Sequence, residues 1–184
     1  MYSWSVNQVQ DVNGFYVNTN FFYQCANGLS SSPSCQSITL ANVNIDEVDH
    51  VAIGGTKVFV TNSYTSDLSG HRDLHNCGTP STSLTCVKIM QLSTAYGVKS
   101  IAADSQDNVY YSLGTSGTQI IKQCTSSSSY ASCSDFVSSS SIVWFMAFNN
   151  YGALFYSIGT DIYLCSSSYY TTSTSGYTCT EKFR

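Results

Sequence analysis

SIAADSQDNVYYSLGTSGTQIIKQC, running from Ser100 to Cys124, contains the three residues that decide the fold: Val109, Tyr110 and Tyr111. A strand with one face in a core and the other in water alternates apolar and polar residues. Here the apolar residues are consecutive, so both faces of the strand need cover. The stretch closes on a cysteine, and a second one, Cys133, follows 9 positions later.

The rest of the chain repeats this arrangement. Its 8 cysteines fall as four pairs, Cys25/Cys35, Cys77/Cys86, Cys124/Cys133 and Cys165/Cys179. NFFYQC, DLHNC, QIIKQC and DIYLC precede the first member of each pair, and GFYVN, KVFVT, NVYYS and ALFYS precede those. In every copy this earlier segment has an apolar triplet: Phe15-Tyr16-Val17, Val58-Phe59-Val60, Val109-Tyr110-Tyr111 and Leu154-Phe155-Tyr156. Further upstream WSVN, VAIG, IAAD and MAFN align. Their second member is small (Ser5, Ala52, Ala102, Ala147) and their fourth is polar or glycine (Asn7, Gly54, Asp104, Asn149). After each second cysteine comes a partly alternating tail, as in QSITL, VKIMQL and SDFV. Turn signals such as VNG, IGG, SQDN and NNYG separate the segments. Each unit reads as four short strands, A to D.

Repeats of four strands, with strand B covered on both faces, match a radial stack of sheets in which each blade is packed by its neighbours. The expected fold is all-β: a four-bladed β-propeller with four antiparallel strands per blade and one intrablade disulfide per blade. The blades fall at about 3–45, 46–97, 98–140 and 141–184 of a single propeller domain. Small residues on strand A suit crowding at the axis, and the more polar strand D suits the outer edge. The disulfide would tie the C–D hairpin and stabilise each copy by about 2–3 kcal/mol. The chain opens on strand A and ends on strand D, with no overlap of first and last blade. The four units would close directly, belong to a longer protein, or join a second chain.

IAADSQDNVYYS, followed by TQII, resembles the propeller repeats of the NHL and gluconolactonase-like group. MAFNNYGALFYSIGTDIYLC resembles a hemopexin-type repeat, a family that forms four-bladed propellers. Each likeness spans roughly twenty residues of a copy and implies the same wheel-like fold.

Composition narrows the function. Only 10% of residues are charged, with a formal net charge of −4 and 7 scattered Lys and Arg, which argues against a nucleic-acid partner. The longest apolar runs, such as IVWFMAF, are too short to span a bilayer. An even number of cysteines points to disulfides and to an extracellular or cell-surface location, with the leader absent from this numbering. Metal-bound thiols are the competing reading, but zinc sites space cysteines two to four apart and no such pair exists here.

Three groups of residues are candidates for chemistry. In HRDLH, His71, Asp73 and His75 share a face if the segment is a strand, and two imidazoles with a carboxylate can bind a metal. The plainer expectation is a solvated outer strand. Asn7, Asp104 and Asn149, at the ends of the inner strands, would gather at one mouth of the central channel. There they could hold Ca²⁺ or another ion, or else satisfy turn backbone groups. Ser/Thr-rich loops carry Tyr130, Tyr169 and Tyr170, whose rings and hydroxyls suit contact with protein partners, further copies of the chain, or glycans. The same loops are plausible O-glycan acceptors, whereas no asparagine begins an N-glycosylation sequon.

No catalytic motif is present. The only glutamates, Glu47 and Glu181, lie outside the inner-strand row, and all histidines fall in or just before the second unit. The expected role is that of a secreted or surface-displayed structural or adhesive module without a cofactor. A carbohydrate-binding lectin and a small metal-dependent hydrolase of lactonase type are the alternatives.

Overall fold

The computed structural model describes residues 9–10, 15–18, 21–26, 34–43, 48–63, 72–92, 98–114, 119–139, 141–149, 151–167 and 177–183. Side chains are described within 37–43, 48–62, 72–92, 98–113, 120–138, 141–149, 151–165 and 179–180.

These residues form four antiparallel sheets in chain order. The first contains β1 (Val9–Gln10), β2 (Phe15–Asn18), β3 (Phe21–Ala26) and β4 (Ser34–Ala41). The second contains β5 (Val48–Ile53), β6 (Val58–Ser63), β7 (Arg72–Asn76) and β9 (Val87–Leu92), with β8 (Ser83–Thr85) in the loop between the last two. The third is β10 (Val98–Ala103), β11 (Val109–Gly114), β12 (Gln119–Cys124) and β13 (Cys133–Ser139). The fourth is β14 (Val143–Phe148), β15 (Leu154–Ile158), β16 (Asp161–Ser167) and β17 (Tyr177–Phe183). The strands are rich in β-branched and aromatic residues, which fit a pleated, packed surface.

The consecutive apolar residues on the second strand of each sheet serve two different cores. Tyr111 joins Ile101, Ala103 and Val109 against Ala52, Phe59 and Leu74 of the second sheet. Tyr110 points the other way, with Ala102 and Ile121, against Val143, Met146, Phe148 and Leu154 of the fourth. In the second sheet Phe59 faces the third sheet, while Val58 and Val60 pack with Ile38 of the first. Alternate side chains of one strand thus fill alternate seams, as the period of a strand requires.

Disulfides Cys77–Cys86, Cys124–Cys133 and Cys165–Cys179 each link the third strand of a sheet to the fourth, or the residues flanking them. Cys25 and Cys35 stand directly opposite one another in the register of β3 and β4.

Two expectations are corrected here. The strand that pairs with β2 is Val9–Gln10, with Gln10 opposite Tyr16, whereas WSVN would have placed Ser5 there. Nor is β4 an outer edge. β8 pairs with it in parallel, Thr39 with Ser83, Leu40 with Leu84 and Ala41 with Thr85, so the second sheet's disulfide loop covers the first sheet's last strand. Leu84 anchors it at 1% exposure, and Thr39 N and Cys86 N donate to Thr82 O and Ala41 O at 3.1 and 3.0 Å.

Candidate functional site

Inner strands and their following turns place the candidate residues. Asp104 follows β10 and its carboxylate accepts four hydrogen bonds. Its Oδ1 takes the N–H of Gln106 and of Asn108, each at 2.9 Å, and its Oδ2 takes Asn108 Nδ2 at 2.9 Å and the Tyr110 hydroxyl at 3.1 Å. Asn149 holds the equivalent turn after β14, its Oδ1 accepting from Tyr151 N and Ala153 N at 2.9 Å. Asn7 lies outside the described residues. The oxygens of Asp104 and Asn149 are thus spent on donors, and as placed they do not make a cation cradle. They shape turns, one of the two roles their residue types suit.

The neighbouring Asp107 does something the sequence did not reveal. Its carboxylate crosses to the second sheet, with Oδ1 accepting from Thr56 N at 2.9 Å and Lys57 N at 3.1 Å, and Oδ2 from Thr56 Oγ1 at 2.6 Å. Asp107 has a φ of 62°, a left-handed conformation that aspartate tolerates better than most residues. Gly54 and Gly55 make the approach feasible: a Cβ on Gly55 would lie 2.1 Å from the Ser105 carbonyl oxygen.

Tyr130 belongs to the same junction and is not a surface contact. It is 3% exposed, packs edge-on against Phe59 at 5.5 Å, and donates its hydroxyl to Asp107 O at 3.1 Å. Lys57 Nζ reaches the same hydroxyl at 3.4 Å, and burial raises the phenol's pKa. The loop bends inward at Tyr130 because Ser129 and Tyr130 both take positive φ after the short 3-10 turn Ser126–Ser128. Tyr169 and Tyr170 lie outside the described residues.

Arg72–His75 of the HRDLH segment lie in β7, which is not a solvated strand. Asp73 is 1% exposed and His75 4%, on the face that also carries Val58 and Val60 toward the first sheet. Lys88 Nζ holds Asp73 Oδ1 at 2.8 Å. Burial lowers the His75 pKa, and among the described residues Nδ1 has no hydrogen-bond partner. His71 lies outside the described residues. Among those described, no three of His, Cys, Asp and Glu converge as a metal would require.

A cavity of about 300 Å³ lies between the inner strands, lined by His50–Ile53 of β5, Lys99–Ala103 of β10 and Trp144–Phe148 of β14. Each of these strands carries a β-bulge at the same place. The pairing skips between Val48 and His50, between Val98 and Ser100, and between Val143 and Phe145. The extra residues are Asp49, Lys99 and Trp144. Asp49 pairs with Arg72 at 2.6 Å, while the Lys99 ammonium lies 5.8 Å from the centre of the Trp144 ring. A signal for this was present: Val48, Val98 and Val143 stand three residues upstream of VAIG, IAAD and MAFN. Nothing in a linear pattern tells which of the next two residues is the extra one.

The sequence matches no known family profile and no curated protein. The fold is similar to that of virginiamycin B lyase from Staphylococcus aureus, a propeller-type structure, with 13% identity and a TM-score of 0.50 over 96% of this chain and 54% of that one. A catalytically inactive variant of the same lyase, crystallised with quinupristin, superposes with the same identity and TM-score over 95% of this chain. The chain spans about half the length of the solved structures it matches. At this identity the likeness concerns fold alone.

Proposed function

We propose that this chain is a secreted or surface-displayed propeller module that acts by binding rather than catalysis, in a structural or adhesive role. In this reading the four sheets are the blades of one wheel, and Cys25–Cys35 completes one staple per blade. The observation that carries it is how the described carboxylates are used. Of the six with described side chains, Asp104 and Asp107 are bound to turn donors, Asp73 to Lys88, Asp49 to Arg72 and Asp135 to Lys122, while the sixth, Asp161, opens β16. Catalysis by acid, base or metal needs such groups poised in a cleft. Large apolar side chains are meanwhile offered to solvent at Val87, Trp144, Phe145, Tyr151 and Ile162, of which Trp144 and Phe145 are neighbours on β14. The Ser/Thr-rich loops add neutral hydrogen-bonding groups suited to protein or glycan partners.

Described disulfides support an oxidising, extracellular location, and no described helix is long and apolar enough to cross a membrane. The test is sedimentation of the purified, dialysed protein over a concentration series, with a glycan array and lactone- and ester-hydrolysis assays alongside. Reversible self-association or saturable glycan binding without turnover is the expected result. Glycan binding alone, at several sites per chain, would make it a lectin. Turnover that needs a retained metal and disappears in Asp73→Ala and His75→Ala would replace the proposal with the lactonase-type hydrolase.

A further inference from the structure

We infer that the bulged end of the central cavity binds a small hydrophobic anion, with a ring body between the inner strands and its acidic group on Lys99. The site is separate from the Ser/Thr-rich loops, and the argument does not depend on the adhesive role.

Three observations converge. The first is the repeated bulge. A bulge interrupts regular pairing and re-aims one side chain, and bulges concentrate beside functional sites. A single bulge can be an accident of packing, but the same bulge recurs in β5, β10 and β14, and in β10 and β14 the extra residue, Lys99 or Trp144, lines the cavity. Contacts between sheets keep these levels matched. Ser100 Oγ accepts from Met146 N at 3.1 Å, Ser112 Oγ donates to Val143 O at 3.1 Å, and His50 Nε2 lies 3.4 Å from Val98 O.

The second observation is what the bulges present. Trp144 and Phe145, on an inner strand, are each 56% exposed, although most large apolar residues of the inner strands are buried. An aromatic pair left open to water beside an apolar cavity gains by stacking against a ring. Val51, Ile53, Ile101, Ala103, Met146 and Phe148 make the lining mostly apolar, and its one hydroxyl, Ser100 Oγ, already accepts from Met146 N, which suits a hydrocarbon or aromatic body rather than a sugar.

The third is charge. The Lys99 ammonium stands over the Trp144 ring, and no carboxylate among the described residues pairs with it. Asp49, the acidic member of the bulged set, is held by Arg72 and does not line the cavity. His50 adds a second nitrogen-bearing group at the same level. A cation beside an aromatic face, in a chain of net charge −4, is a local counter-charge for a carboxylate or sulfonate. A cavity of about 300 Å³ lies at the small end of ligand pockets, enough for one or two fused rings.

Titration calorimetry of the intact protein with 1-naphthoate, and with the neutral 1-naphthalenemethanol, tests this. The proposal expects one saturable naphthoate site, about tenfold tighter than the neutral analogue. Lys99→Met should abolish that preference, Lys99→Arg should keep it, and Trp144→Ala should weaken both probes alike. Near-UV circular dichroism of each variant confirms that the fold is intact. Equal affinity for the two probes, saturable binding of neither, or unchanged naphthoate affinity in Lys99→Met would overturn it.

Discussion

Asp107 illustrates how much a single side chain contributes to this array. Three hydrogen bonds to one carboxylate fasten two sheets at their turns, and bonds to a charged acceptor are the stronger class. Asp107→Ala should cost about 3 kcal/mol by urea denaturation, because it removes the bonds and leaves a left-handed residue without its favoured side chain. Asp107→Asn keeps the local conformation and part of the bonding, and should cost about 1 kcal/mol. Tyr110 is a second such point: its hydroxyl accepts from Gln123 Nε2 at 2.6 Å and donates to Asp104, inside a core with Phe136 and Phe148. Tyr110→Phe keeps the ring packing but strands two buried polar partners, and should lower stability by about 1–3 kcal/mol. Composition and spacing marked Asp104 and SQDN as turn formers, since aspartate at a strand end is a local signal. They could not mark Asp107 as a clamp or Tyr130 as buried, because both roles depend on what the preceding repeat brings within reach.

Individual strands were the most legible feature of the sequence. Apolar triplets on β2, β6, β11 and β15 needed only local pattern, as did a cysteine at or near the end of the third strand of each unit, although only β12 ends on its cysteine. β8 escaped notice because three residues, Ser83-Leu84-Thr85, carry little periodic signal and their partner β4 lies more than 40 positions upstream. Its consequence is that the Cys77–Cys86 bridge closes a loop that pairs, as a strand, with another sheet. Leu84→Ala should therefore destabilise the first sheet as well as the second, by about 2–4 kcal/mol overall. Hydrogen exchange checks this: amides of β4 such as Thr39 should lose protection together with those of β9. If the amides of β4 keep their protection while β9 opens, the covering strand has no such coupling. An uncovered β4 would also present an unpaired edge, so the variant should aggregate more readily.

Across the whole molecule the described cores are seams between sheets, and the two histidines placed by the structure sit in different ones. His75 lies on the face turned toward the first sheet, while His50 reaches Val98 at the junction of the second and third. Burial lowers both pKa values from 6.5 by penalising the imidazolium. For His50, Asp49 opposes that shift while Arg72 and Lys99 add to it; for His75, Asp73 opposes and Lys88 adds. As the pH falls through 6.5 the unfolded chain takes up protons before the folded one does. The contribution of these groups to stability is therefore complete above that pH and is lost as the pH drops through their folded values. The melting temperature should fall by a few degrees between about pH 7.5 and about pH 5. His75→Gln should flatten part of that slope, and a double variant with His50→Gln should flatten more of it. In a stack of repeats each sheet gains stability mainly from its immediate neighbours. Protonation at His75 should thus loosen the first seam before the third, which contains no described histidine. Hydrogen exchange at about pH 5 should show β6 and β7 opening ahead of β14 and β15. Uniform loss of protection across all four sheets would mean that the array unfolds as one cooperative body, with its seams too strongly coupled for a local charge to separate them.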